Sequence, residues 1–360
     1  MPSTTPSAPS RAADPAAPLG VAVVGAGYWG PNLIRNFNAS PDCDLRWVCD
    51  LDLARAAKVV GPRSTIGLTT SLEEVLADPE VGAVAIATPA GTHATVGLAC
   101  LEAGRHVMVE KPLAASLAEG EKLVEAAEAH GLVLMCDHTY CYTPVVRRIR
   151  EIVRAGELGD IQYVDSVRIN LGLVQPDIDV VWDLAPHDLS ILDFVLPDGN
   201  LPTGVWAHGA DPLGTGRSSV AYLTLPLAGR AIAHAHVNWL SPTKVRSTII
   251  GGSQRMLVWD DLHPTQRLSL YDKGVEIGER LDDDSRRRQL VSYRVGDVVS
   301  PALPEYEALG AVVAELVASI REGRSPATDG RAGLRVLRIL EGASASLARD
   351  GALIPLDGYR

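Results

Sequence analysis

A doubly wound parallel α/β sheet, followed by a larger, open and mostly antiparallel sheet, is the fold class this sequence predicts. Three observations predict it. The chain has 360 residues, too many for one ordinary core, which implies two domains. Up to about residue 140, short apolar runs alternate with helical segments, the pattern of a parallel sheet covered on both faces. Beyond about residue 160, strands with period-two alternation follow one another with few helices between them. We therefore expect a tail at 1–17, a nucleotide-binding domain at 18–140 and a substrate-binding and oligomerisation domain at 141–360.

The opening "MPSTTPSAPSRAADPAAP" is rich in Pro, Ser and Ala, lacks an apolar core segment, and reads as a disordered tail that is no signal peptide. Then "LGVAVVG", "LRWVCD", "VGAVAIATP", "HVMVEKP" and "LVLMCDH" read as buried parallel strands. The segments between them are helical. "PNLIRNFNA" follows the first strand, and "LDLARAAKVVG" follows the second and stops at Gly61. "SLEEVLADP" and "SLAEGEKLVEAAEAHG" open with Ser71/Glu74 and Ser116/Glu119, the reciprocal capping pattern. In the second half, Tyr163, Val167, Ile169 and Leu171 share one strand face, with Ser166, Arg168 and Asn170 on the other. In 231–239 the alanines, Val237 and Trp239 oppose His234, His236 and Asn238. One covered face and one polar face mark an open sheet that lines a substrate cleft or joins subunits. Helices return at about 304–322 and 328–349, and a C-terminal helix that packs back on the first domain is expected.

Composition narrows the function. Hydrophobic residues make up 46% and the formal net charge is −11, so a nucleic-acid surface is not expected. No run of 18 apolar residues occurs, so no membrane span is expected. The five cysteines, Cys43, Cys49, Cys100, Cys136 and Cys141, have no C-x-x-C spacing and read as reduced thiols of a cytoplasmic protein.

"GAGYWG" supplies G-x-G-x-x-G as Gly25, Gly27 and Gly30 between a strand and a helix. The first glycine allows the tight turn, the second lets a pyrophosphate approach, and the third seats the helix on the strand. Asp50 ends the second strand twenty residues after Gly30, where a carboxylate meets the ribose diol of NAD and repels the 2′-phosphate of NADP. NAD is therefore preferred as cofactor, although Arg55 follows five residues later. Glu110 and Lys111 end a buried strand before Pro112, at the edge where open α/β sheets bind ligands. His93 follows the "ATPAGT" turn and is a candidate for the nicotinamide side; His138 ends the last parallel strand. In "VVWDLAPHDLSILDF", residues 180–194, Asp183 suits a helix N-cap with Pro186 in the first turn, and His187 lies one turn on along the same face. Either Asp183 only caps and His187 is a half-buried helix histidine, or the pair moves a proton at a substrate hydroxyl. Asp188 points about 100° further round the helix, towards solvent or a salt-bridge partner. A zinc site of His187, His234 and His236 lacks a compact ligand motif, so no metal is expected.

"GAGYWG", "ATPAGTH", "EKP" and the D-x-x-x-H of "DLAPHD", in this order, resemble the glucose–fructose oxidoreductase / inositol dehydrogenase / rhizopine catabolism (Gfo/Idh/MocA) family over nearly the whole chain after the tail. The resemblance implies a Rossmann domain followed by an α/β domain with a large open sheet. It implies Lys111, His187 and Asp183 as catalytic residues, with His187 as acid/base, Lys111 on the reacting oxygen and Asp183 on a neighbouring hydroxyl. It implies cofactor contacts from Gly25, Ala26, Gly27, Tyr28, Trp29 and Gly30, from Asp50, from Thr88, Pro89 and His93, and from Glu110, Lys111 and His138. "CDHTYCYTPVVRRIREIV" and "RINLGLVQPDIDVVWDLAPHDLSIL" look like the bacterial branch that oxidises a 3-hydroxyl of sugars or nucleotide-linked amino sugars. In that branch Arg168, Asn170 and Lys244 approach the substrate beside Lys111, Asp183 and His187, and Arg246 lies close by. A homodimer or homotetramer through the open sheet is implied. The alternatives are an NADPH-dependent sugar ketoreductase and, from another class, a non-catalytic sugar-sensing regulator.

Overall fold

The computed structural model describes residues 17–175, 177–197, 201–277 and 291–356, so the expected tail lies almost wholly outside the described residues. The first half holds β1 (Leu19–Val24), α1 (Gly30–Ala39), β2 (Cys43–Cys49), α2 (Leu53–Val60), β3 (Gly67–Thr69), α3 (Leu72–Ala77), β4 (Ala83–Ile86), α4 (His93–Glu102), β5 (His106–Glu110), α5 (Leu117–His130) and β6 (Leu134–Asp137). The second half holds α6 (Pro144–Arg154), β7 (Ile161–Leu171), α7 (Val180–Val195), β8 (Gly204–Ala210), β9 (Val220–Pro226), β10 (Ile232–Asn238), β11 (Leu240–Gly252), β12 (Met256–Asp260), β13 (Leu268–Ile277), β14 (Val291–Val299), α8 (Ala308–Glu322), α9 (Gly330–Leu347) and β15 (Ile354–Pro355).

Among the described residues the first sheet has six strands in the order β3-β2-β1-β4-β5-β6. All its pairings are parallel. This is the doubly wound arrangement, with the point of order reversal between β1 and β4, where ligands bind at the carboxyl ends. Strands β4 and β6 are buried at every residue, as expected of strands covered on both sides. The edge strand β3 is only three residues long and was not among the five apolar runs. Ser71 and Ser116 cap α3 and α5 by accepting the N–H groups of Glu74 and Glu119. The reciprocal half of the first box is diverted: the Ser71 N–H goes to Thr69, whose hydroxyl in turn donates to Glu74.

The second sheet runs β14-β13-β12-β11-β7-β10-β9-β8-β15 and is antiparallel except where β7 meets β10. Helix α7 packs against β7, β9 and β10 on one face. On β10 the faces agree with expectation: Ala233, Ala235 and Val237 are buried, and His234, His236 and Asn238 are only partly covered. On β7 the expected faces are reversed. Val164, Ser166 and Arg168 are buried, whereas Leu171 is 75% exposed and Tyr163, Val167 and Ile169 lie on the open side. The cause is Asp188 of α7, which brings a carboxylate onto the covered face. It accepts Nε (2.8 Å) and Nη2 (3.1 Å) of Arg168 and the Ser166 hydroxyl (2.8 Å). A charge pair that is fully hydrogen-bonded tolerates burial, so polar residues occupy the interior here.

Helix α9 follows α8 and reaches the first half of the chain. It packs on α5 and β6, and Gly120, Gly330 and Gly333 lie where a Cβ would come within 2.9 Å of Leu337, Leu134 or Leu113. Thr328, just before it, bonds the main chain of Cys136 at the end of β6. The five cysteines are free thiols.

Candidate active site

The glycine loop has the shape its motif requires. Gly25 has φ +100°, and a Cβ there would lie 2.7 Å from the Ala87 backbone; one on Gly30 would lie 2.2 Å from the Gly25 carbonyl oxygen. Gly27 differs: a Cβ there meets nothing within 4 Å. Two glycines thus serve internal packing, and the third leaves open space at the amino end of α1, where a pyrophosphate fits. Of the neighbouring loop candidates, Ala26 is buried and Tyr28 is 92% exposed.

Asp50 is buried at the end of β2. It accepts the Ala26 N–H (2.6 Å), the Asp52 N–H (2.8 Å) and Nη2 of Arg55 (2.7 Å). Burial pushes its carboxyl up, but Arg55 and the two N–H groups outweigh this and hold it below the usual carboxylate range. Arg55, half exposed, is therefore a resident partner of the carboxylate at the ribose position.

His93 does not present its ring to the cleft. It is 1% exposed, with Nδ1 2.9 Å from the Pro112 carbonyl oxygen and Nε2 2.8 Å from that of Thr88. Both neighbours are main-chain carbonyls, one in the Thr88–Pro89 turn after β4 and one in the cis Lys111–Pro112 turn after β5, and the single N–H of a neutral ring donates to one of them. Thr88 is tied further by the Thr92 hydroxyl. Sequence placed His93 on the nicotinamide side because it follows a strand end; burial makes it a positioning group instead.

Helix α7 begins earlier than expected. Asp179, not Asp183, is its N-cap, accepting the Trp182 N–H at 3.0 Å. Asp183 lies in the first turn and Pro186 in the helix interior. Proline removes the N–H that would bond the Trp182 carbonyl and crowds that carbonyl, opening the turn. The Asp183 carbonyl beside it accepts the Lys111 ammonium at 2.8 Å; Lys111 Nζ also lies 3.5 Å from Asp183 Oδ1, and Trp239 Nε1 donates to Oδ2 at 3.0 Å. Lys111 and Asp183 are each about one-fifth exposed, so the pair faces the cleft without being solvated on all sides.

His187 is half-buried and meets the ring of Tyr140 edge-on, with centroids 5.1 Å apart. Burial lowers its pKa well below the ordinary histidine range, and Lys111, Arg168 and Arg246 lower it further by their charge. The Tyr140 ring also lies 4.5 Å from the Arg168 guanidinium and 6.0 Å from that of Arg246. Arg168 is not a free substrate-facing group as expected: its fork is occupied by Asp188, and Asp188 is a buried salt-bridge partner. Asn170 shares the face of Arg168 two residues nearer the strand end, and Lys244 is exposed in the bulge where the β11–β7 register shifts. His234 and His236 belong to the opposite, open face, stacked on Tyr222.

Sequence reasoning missed three groups. Tyr140 and Trp239 reach the site only through tertiary packing and leave no local signal. Asp137 was findable, because it ends β6 as Glu110 ends β5 and the two are register partners.

Comparison with known proteins agrees with this geometry. The profile described as "Oxidoreductase family, NAD-binding Rossmann fold" matches residues 19–138, and the Gfo/Idh/MocA C-terminal domain matches 146–258. The chain spans about half the length of the first curated relatives it matches. It is more extensively similar to UDP-N-acetylglucosamine 3-dehydrogenase of Acidithiobacillus ferrooxidans, 29% identical over 88% of this chain and 93% of that one. The solved structure of that enzyme superimposes with a TM-score of 0.76, covering 92% of this chain and 97% of the other at 26% identity. GenD2 from gentamicin A biosynthesis, solved in complex with NAD, superimposes with a TM-score of 0.78 at 25% identity, covering 98% of this chain and 99% of that one. The glycine loop, the Lys111–Asp183 contact beside His187 and the match of both halves make this chain a member of the Gfo/Idh/MocA oxidoreductase family.

Proposed function

We propose that the protein is an NAD-dependent dehydrogenase of a sugar or nucleotide-linked amino sugar, acting at the 3-hydroxyl. The observation that carries this reading is Lys111 held against Asp183 on the same helix as His187, at the carboxyl edge of the sheet that bears the glycine loop. Similarity to UDP-N-acetylglucosamine 3-dehydrogenase over most of both chains supports the substrate class and the carbon.

A dinucleotide held by the glycine loop and Asp50 would supply a hydride acceptor for the carbinol carbon. His187, neutral because its surroundings disfavour imidazolium, takes the hydroxyl proton as the C–O bond becomes a carbonyl. Lys111 exchanges its contact with Asp183 for the reacting oxygen and stabilises the charge that develops there. Asp183, freed in part, accepts from a neighbouring hydroxyl. Lys244 and Arg246 supply positive charge for a diphosphate, and Asn170 lines the approach. The open face of the large sheet, with Ile232, Leu171, Val295 and Tyr293 exposed, forms the subunit contact of a dimer or tetramer. The Asp50 carboxylate favours NAD, and its partner Arg55 is the group an NADPH-dependent enzyme would turn to a 2′-phosphate.

The test is to follow reduced cofactor with a panel of free and UDP-linked sugars. Turnover should be strongest with a UDP-amino sugar and NAD, and should fall on the order of 10²–10⁴-fold in His187→Ala and Lys111→Ala. Full turnover in either variant overturns the assigned roles.

A further inference from the structure

Behind Lys111 lies a group of buried polar side chains that the proposed reaction does not use. Parallel pairing sets Glu110 of β5 beside Asp137 of β6, and His138 follows directly. Glu110 is 9%, Asp137 1% and His138 2% exposed. Eleven buried side-chain N or O atoms among the described residues have no hydrogen-bond partner, and five of them are here: Trp29 Nε1, Glu110 Oε1, Asp137 Oδ2 and both ring nitrogens of His138. Such a concentration needs a physical explanation. For the carboxyls the explanation is specific. Glu110 Oε2 accepts the Lys111 N–H at 3.1 Å, and Asp137 Oδ1 accepts the Thr139 hydroxyl at 2.9 Å. Each group therefore has one oxygen satisfied and one bare, on adjacent strands. Two ionised carboxylates cannot satisfy each other; one proton between them satisfies both bare oxygens at once.

We propose that Glu110 and Asp137 share a single proton and serve as a positioning pair: one buried negative charge that holds the Lys111 ammonium in place when its contact with Asp183 passes to substrate. The proposal rests on Lys111 having the role given it above. Burial, then the charge and hydrogen bond of Asp137, push Glu110 well above the usual carboxyl range. Burial pushes Asp137 up as well, against the Thr139 hydroxyl that donates to its other oxygen. Four titratable groups among the described residues face this pair or Lys111: Asp183 and His187 from α7, and Cys136 and His138 beside Asp137. His138 is held neutral, its pKa brought down to about 3 by burial and then by Lys111, so it does not cancel the pair's charge.

Single and double isosteric variants of the full chain separate this from mere packing. Glu110→Gln or Asp137→Asn leaves one carboxylate, which keeps the negative charge and receives a hydrogen bond from the new amide. The double variant leaves none. The chain has only five lysines, so reductive ¹³C-methylation gives a resolvable NMR signal for Lys111, assigned by its loss in Lys111→Arg. At fixed pH that signal should keep its wild-type position in both single variants and move in the double variant, where the ammonium loses the buried counter-charge. Infrared spectra should show a protonated-carboxyl stretch in the wild type that either single substitution removes. Singles that shift Lys111 as much as the double variant overturn the proposal. So does a wild type without that stretch, and this arm decides even if the double variant fails to fold. Neither readout needs a substrate, so failure of the proposed sugar chemistry would be seen separately, in the turnover panel.

Discussion

Cutting the Arg168–Asp188 pair on one side should be among the most destabilising single changes in this protein. Asp188→Leu leaves a guanidinium that is 4% exposed, stripped of two charged hydrogen bonds at 2.8 and 3.1 Å, and leaves the Ser166 hydroxyl without its acceptor. An uncompensated buried charge of this kind costs about 3–5 kcal/mol. Replacing both partners by apolar groups of similar volume removes the desolvation cost with the attraction, so Arg168→Met/Asp188→Leu should lie within about 1–2 kcal/mol of the wild type. The assay is urea denaturation of the wild type, both singles and the double, closed as a thermodynamic cycle. Less damage in the double than in either single is the expected outcome. A double whose cost equals the sum of the singles refutes the reasoning. So would an Arg168→Met variant of unchanged stability whose KM for the sugar rises, since Arg168 would then be a substrate group.

Further outcomes are expected. Gly27→Ala should keep its stability within about 0.5 kcal/mol, because its Cβ meets open space, yet lose NADH affinity about tenfold or more. Gly30→Ala, whose Cβ would lie 2.2 Å from a carbonyl oxygen, should cost about 1–3 kcal/mol of stability. Equal stability of the two variants by denaturation would contradict this. Asp50→Ala should narrow the preference for NADH over NADPH, and Arg55→Ala should weaken NADPH more than NADH, both by fluorescence titration. Burial holds His93, His106, His138 and His187 below the ordinary histidine value. Since each folded value is depressed, this stabilisation is complete above about pH 6.5 and is lost as pH falls towards the folded values. In a Glu110→Gln background, which removes the opposing proton uptake by that carboxyl, the unfolding free energy should therefore fall between pH 7.5 and 5.5, and one that holds or rises would be inconsistent with neutral burial.

Much of this was legible in the sequence because its signals are local. The glycine loop needs only a strand, three glycines and a helix, and Gly25, Gly27 and Gly30 show the distinct environments their spacing implies. Asp50, Lys111, Asp183 and His187 were each marked by charge at the end of an apolar run. What failed depended on partners far away in the chain. Asp179 and Asp183 are both chemically able to cap α7. The rule that proline belongs in a first turn selected Asp183, whereas the helix extends past Pro186 with Lys111 taking a carbonyl of the opened turn. Period-two alternation in β7 found the two faces but not which is covered, because that is decided by Asp188 on α7. His93 was misjudged for the same reason: two main-chain carbonyls from separate turns claim its ring.

The proposed hydride transfer from C3 of a UDP-linked amino sugar to NAD, served by His187 and Lys111, is tested most directly by incubating the protein with NAD and UDP-N-acetylglucosamine deuterated at C3. Reduced cofactor carrying the deuterium, formed by the wild type and lost in His187→Ala, is the predicted result. Reduced cofactor without deuterium, or undiminished label transfer in His187→Ala, would contradict the account.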